Sequence, residues 1–69
     1  MKLSEIQERA EQKPFRAFAL ETTGGSWINV EKESEIMISE KRPDIVVVFD
    51  SSGRLYILGV NEISAIEGK

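Results

Sequence analysis

The chain of 69 residues contains no cysteine and no histidine. Without cysteine there are no disulfides, zinc ribbons, iron–sulfur clusters or thiol nucleophiles. The missing histidine removes the commonest general base, the base of the Ser–His–Asp triad and the usual imidazole metal ligand. Carboxylates and lysine alone remain for catalysis, so no catalytic, cofactor-binding or metal-ligating residue is assigned, and the chain reads as a non-enzyme. No apolar run approaches the ~18 residues of a membrane span, and no charged-then-apolar leader opens the sequence. The expected address is therefore the cytoplasm, with no membrane partner. Positive charge is also scarce: 9 Lys and Arg stand against 12 Asp and Glu, a net charge of −3. That balance excludes a DNA-binding coat and disfavours RNA, leaving room only for a local basic patch.

What is present is one small domain, residues 1–69, with no length for a second. In a chain this short, burial and chain ordering nearly cancel, so either the core is efficient or association supplies the margin. Ser4 with Gln7 three residues on has the spacing of a capping box, and Glu5 and Glu8 suit the helix dipole. Leu3, Ile6 and Ala10 form a narrow apolar stripe. Lys13 is pushed out of the α region by Pro14, so the helix is expected over about residues 4–12. From Phe15 the apolar pattern changes to period two, with turn signals at Gly24-Gly25, Arg42-Pro43-Asp44, Ser51-Ser52-Gly53 and Gly59 to Glu62. This predicts five short strands over about 15–67, the last of them Ser64 to Glu67.

Loop length decides which side chains share a face. With Thr23, Gly24 and Gly25 as a three-residue loop and Gly25 in the left-handed position, Leu20 opposes Ile28 and Phe18 opposes Val30. Those four then make one apolar face, with Trp27 outside beside Ala17, Ala19 and Asn29. With Ser51, Ser52 and Gly53 as the second loop, Asp50 opposes Arg54, Phe49 opposes Leu55 and Val47 opposes Ile57. One face of this hairpin carries Ile45, Val47, Phe49, Leu55 and Ile57, and the other Val46, Val48, Tyr56 and Leu58. Both are apolar, which requires either enclosure in a barrel or a second subunit. Arg42, Pro43, Asp44 and Asp50 bracket the aggregation-prone Ile45–Phe49 run as gatekeepers.

A short helix followed by five bent antiparallel strands is the element order of the Sm-like barrel, and SH3-like barrels share the strand order without the helix. The tail Leu58-Gly59-Val60-Asn61-Glu62-Ile63-Ser64-Ala65-Ile66 resembles the second Sm motif, in which a hydrophobic-x-Gly turn leads into the closing strand. The opening Lys13-Pro14-Phe15-Arg16-Ala17-Phe18 resembles that of a group of small uncharacterised bacterial proteins with a KPFRPF-like start, which brings no activity with it. The Sm-like resemblance implies a ring in which neighbouring subunits pair edge strands, often around RNA. The sequence lacks the Asp/Asn pair of the first Sm motif and the Tyr-Lys-His that precedes the last strand.

Several residues stand out as candidate sites, each with a plainer reading beside it. Trp27, the sole tryptophan, suits an interface anchor or a base-stacking platform; the plainer reading is that the helix packs over it through Leu3 and Ile6. Val46, Val48, Tyr56 and Leu58 are the candidate subunit contact, with Tyr56 alternatively a half-buried residue whose hydroxyl reaches water. Lys13, Arg16 and Trp27 are the candidate RNA contact, with Lys41 and Arg42 joining a patch only if the fold gathers them. Glu31, Glu33 and Glu35 line one side of an extended segment; a solvated face that blocks edge pairing explains them better than a cation site, which needs about six oxygens. Asp44 and Asp50 occupy turn positions and bond their own backbone. Gly24-Gly25 is a hairpin turn, since no helix follows to cradle a phosphate.

The expectation is thus a mostly β fold, a short N-terminal helix and a bent five-stranded small barrel. Its expected role is a non-enzymatic oligomeric binding or scaffold module, with a protein partner or further copies of itself. The alternative is an Sm-like ring that binds single-stranded RNA.

Overall fold

The computed structural model describes residues 2–68. Its helix, α1 (Leu3–Ala10), starts one residue earlier and ends two earlier than the capping signals imply. Lys2 stands at the N-cap with no side-chain cap bond, and Ser4 lies inside the first turn. The reason is packing: Leu3 sits against the core, and holding it there draws the start of the helix back past Ser4. The apolar stripe behaves as expected, with Ile6 and Ala10 buried. Ile6 joins the core, Ala10 shares a shallow cleft with Ile36 and Ile38, and Arg9 fills the space beside Gly68.

Six strands form two antiparallel three-stranded sheets: β1 (Phe18–Thr22), β2 (Trp27–Val30), β3 (Ile36–Ile38), β4 (Ile45–Phe49), β5 (Leu55–Gly59) and β6 (Ile63–Gly68). Their orders are β2-β1-β6 and β3-β4-β5, so the sheets do not close into a barrel. The sixth strand arises from a break in the run after Val30. There Glu33–Glu35 forms a 3-10 turn, and a Glu35 carboxylate oxygen accepts the backbone N–H of Glu31 at 2.8 Å and of Lys32 at 3.2 Å. Those bonds favour a turn over a continuing strand, because the side chain satisfies donors that a ladder would otherwise use. A second 3-10 turn, Val60–Glu62, leads into β6, with Glu62 accepting the Gly59 N–H at 2.8 Å.

Both hairpin registers agree with loop-length reasoning. Phe18 faces Val30 and Leu20 faces Ile28, while Phe49 faces Leu55 and Val47 faces Ile57. Gly25 and Gly53 take φ of 89° and 88°, the left-handed geometry that a three-residue loop requires. Gly24 does not. Gly25→Ala is therefore expected to cost about 1–2 kcal/mol in urea unfolding and Gly24→Ala less than half of that. Equal costs at the two positions would contradict this loop geometry.

The core lies between the sheets. Phe18, Leu20, Ile28, Val30 and Ile63 come from the first, Val46, Val48 and Leu58 from the second, and Ile6 from α1. Phe18 meets Phe15 in a tilted aromatic pair with centroids 5.8 Å apart. A β-bulge between Glu21 and Thr22 lets β6 bring Ile63 and Ile66 to the inner side of β1. Among the described residues no buried side-chain polar atom lacks a partner, and none of the fully buried residues is charged.

Candidate functional site

The inner face of the second sheet is formed by Ile36, Ile38, Val46, Val48, Tyr56 and Leu58, whose cross-strand partners are fixed by the ladder. Val46 and Val48 are wholly buried and Leu58 nearly so. These residues, expected from the sequence to form a subunit contact, are instead core. Val46, Val48 and Leu58 pack in one cluster with residues of the first sheet and Ile6 of α1. Tyr56 is half-buried, and its hydroxyl donates to Asp50 Oδ2 at 3.3 Å.

The opposite face carries what the inner face does not expose. Across the three strands run Met37, Val47 and Ile57 in one row, Phe49 and Leu55 in the next, and Ile45 beside Gly59 in the third. Met37 is 63% exposed, Ile57 64%, Leu55 50% and Phe49 41%. At the paired positions of the three strands the outward side chains are all apolar, and the side chains of Asn61 and Glu62 reach over Gly59. Single exposed apolar residues are ordinary on a monomer, but a contiguous face of them marks an interaction surface. Charge is confined to its two ends. At one end Asp50 accepts from the backbone N–H of Ser52 and Arg54 and from Ser52 Oγ, at 3.0, 2.9 and 2.6 Å. At the other, Arg42 bonds Asp44 at 3.3 Å through both guanidinium contacts. Beside Asp44, the outer face ends in an open cleft of about 470 Å³ lined by Asp44, Ile45, Gly59, Val60 and Asn61. A Cβ on Gly59 would stand 2.8 Å from Asn61 Oδ1, so this notch has no room for a side chain of its own.

The hydrogen bonds from Ser52, then those from Arg54 and Tyr56, hold the Asp50 carboxyl below its ordinary range. A carboxyl lowered in the folded state contributes stability above its unfolded value, and that stability is lost as pH falls through the folded one. Asp50→Ala should therefore destabilise the hairpin at neutral pH and flatten the decline in melting temperature expected on acidification below about pH 4. An unchanged acid profile in the variant would contradict this role.

Trp27 is 47% exposed on the outer face of the first sheet, next to Glu21 on β1. The helix does not cover it, contrary to the plainer sequence reading, because Ile6 turns into the core instead. Two of the basic residues are held in ion pairs. Lys13 pairs with Glu33 at 3.1 Å and Arg42 with Asp44, which neutralises two of the four cations in question. Of the candidate RNA contacts, Trp27 and Arg16 are exposed and Lys13 is tied to a carboxylate. Glu31, Glu33 and Glu35 do not line one side, since the 3-10 turn points them to different tasks: Glu33 to Lys13 and Glu35 to the backbone. Among the described residues no group of three acidic side chains is placed to hold a metal ion.

The sequence could not decide which side of the second hairpin is inward, because alternation makes both sides apolar. Met37 was missed by the sequence reading, although the apolar run Ile36-Met37-Ile38 is a signal for a further strand.

No protein-family model matches the chain, and no curated protein matches its sequence. Among solved structures, the fold is similar to that of a protein determined by X-ray crystallography as a Northeast Structural Genomics Consortium target. The TM-score is 0.60 at 13% identity, covering 78% of this chain and 91% of the other. What the comparisons establish for this chain is its fold, a small mostly β domain with a short N-terminal helix and two antiparallel sheets.

Proposed function

We propose that this protein is a non-enzymatic oligomeric binding or scaffold module that associates through the outer face of the β3-β4-β5 sheet. The observation that carries the reading is the contiguous apolar surface of Met37, Val47, Phe49, Leu55 and Ile57. Covering side chains that are about half exposed returns roughly 1–1.5 kcal/mol each, enough collectively to offset the loss of free tumbling. A small two-sheet domain also benefits, since association adds to a modest folding margin by mass action.

Absolute mass by light scattering across a concentration series tests the reading. The expected result is a mass that rises above the 7.8 kDa of one chain and reaches a plateau. A mass of one chain at every concentration would overturn it. A closed ring of about five to seven chains would favour the second reading, an Sm-like ring for single-stranded RNA, which rests on the short N-terminal helix and the Leu58-Gly59-Val60 turn into the last strand by analogy. That reading further requires RNA binding that weakens steeply with salt and is lost in Arg16→Ala.

A further inference from the structure

We infer that this chain is one small β unit used twice, and that the two units exchange their third strands to complete each other's sheet. Unit 1 is β1, β2 and β3, and unit 2 is β4, β5 and β6. The sheet orders β2-β1-β6 and β5-β4-β3 are a single arrangement: the first strand of each unit lies between its own second strand and the third strand of the other unit. The strand pairing is that of an intertwined dimer whose two protomers have been joined, here by residues 39–44.

The likeness extends to individual hydrogen bonds. Phe18 opposite Val30 in unit 1 corresponds to Val46 opposite Leu58 in unit 2, Leu20 opposite Ile28 to Val48 opposite Tyr56, and Glu21 opposite Trp27 to Phe49 opposite Leu55. The Thr22 N–H donates to the Ser26 carbonyl at 2.8 Å, and the Asp50 N–H to the Arg54 carbonyl at 3.0 Å. The Gly25 N–H donates to the Thr22 carbonyl and the Gly53 N–H to the Asp50 carbonyl, both at 2.9 Å. The residue after the left-handed glycine donates its N–H to Thr22 Oγ1 at 3.2 Å in unit 1 and to Asp50 Oδ1 at 2.9 Å in unit 2. Each second strand then enters a 3-10 turn that ends in a glutamate, Glu35 or Glu62. That glutamate accepts the N–H three positions back, from Lys32 at 3.2 Å and from Gly59 at 2.8 Å. An isoleucine, Ile36 or Ile63, follows at once and opens the third strand. Hairpin loops of this type are common, but nothing in local propensity calls for the same loop, acid-closed turn and opening isoleucine twice in the same order. The units differ in two places. The bulge between Glu21 and Thr22 slides β6 along β1, a shift that β3 on β4 lacks. The outward positions Ala19, Glu21, Trp27 and Asn29 of unit 1 correspond to Val47, Phe49, Leu55 and Ile57 of unit 2. The unit thus folds with a mixed outer face as well as with an apolar one, and the apolar face of the second sheet belongs to unit 2 rather than to the needs of the fold.

The two crossings between sheets differ in length by one residue, which permits a test. Five residues, 31–35, separate Val30 from Ile36, and four, 59–62, separate Leu58 from Ile63, yet all four of these apolar residues pack into the core. Deleting Glu31 gives the first crossing the length of the second. Lys32 then takes the position of Gly59 and finds room there, because Ser34 stands in place of Asn61, whose Oδ1 lies 2.8 Å from where a Cβ on Gly59 would be. Were the crossings unrelated, losing one residue would turn β3 over, with Met37 inward and Ile36 outward. Thiol labelling reads the outcome, since the chain has no cysteine of its own. In the Glu31 deletion, Met37→Cys is expected to label within about threefold of its rate in the undeleted chain, and Ile36→Cys at least about tenfold more slowly than Met37→Cys, as exposure dictates. The reciprocal variant, with one glutamate inserted between Leu58 and Gly59, is expected to keep the far-UV circular dichroism of the parent and a melting temperature within about 10 °C of it. Reversed labelling in the deletion, Ile36→Cys faster than Met37→Cys, overturns the equivalence of the units. If the deletion unfolds the chain, the insertion decides: a folded insertion variant upholds the equivalence and an unfolded one overturns it.

Discussion

Replacing Ile57 with aspartate is expected to abolish self-association while leaving the fold intact. Ile57 is 64% exposed on the edge strand β5, so the folded monomer loses little by the change. Surface substitutions of this kind ordinarily stay within about 0.5 kcal/mol. In the associated state the carboxylate is desolvated among the apolar side chains of Met37, Val47 and Leu55, with no cationic partner in its row. A central interface residue costs at least about 2 kcal/mol when truncated, and an unpaired buried charge about 3–5 kcal/mol. The dissociation constant should therefore rise at least about 30-fold. Far-UV circular dichroism and Trp27 emission should match the parent, since Trp27 lies on the other sheet and reports on the fold independently. An Ile57→Asp protein that keeps the parent's mass at every concentration would show that this face is not the contact.

Val48→Asp is expected to do the reverse and unfold the chain. Val48 is fully buried between the sheets, paired with Ile36 on one side and Tyr56 on the other. At about 0.05–0.15 kcal/mol per residue, a domain of this length is stable by roughly 3–10 kcal/mol. An unpaired carboxylate in its core consumes most or all of that. The milder Val48→Ala, which leaves a small cavity, should cost about 1.5–3 kcal/mol in urea unfolding and keep the native mass distribution. If Val48→Asp remained folded and lost only association, the assignment of inner and outer faces would be wrong.

These two substitutions mark the boundary of what the sequence disclosed. Alternation and loop length correctly paired Phe18 with Val30, Leu20 with Ile28, and Phe49 with Leu55, because a three-residue loop ending in a left-handed glycine admits one register. The stripe of Leu3, Ile6 and Ala10 was equally legible, since helical spacing alone defines it. Orientation of the second sheet was not. Both faces carry apolar side chains with one aromatic each, Tyr56 inside and Phe49 outside, and the choice between them is made by the covering layer of β1, β2, β6 and α1, which no local pattern contains. Tyr56 follows the plainer of its two readings, half-buried, with its ring at the core margin and its hydroxyl at the rim on Asp50. The strand count went wrong at Glu31–Glu35 for a local reason. Three alternating glutamates suit a solvated strand, but Glu35 instead folds back onto two backbone N–H groups, and the sheet divides there.

The central claim, that the outer face of the second sheet meets a partner copy, is tested most directly by amide NMR spectra of the protein along a dilution series. The account predicts concentration-dependent shifts at Met37, Val47, Phe49, Leu55 and Ile57, with β1, β2 and the Trp27 indole unmoved. Shifts confined to Trp27 and its sheet, or a spectrum invariant from micromolar to millimolar concentration, would contradict it.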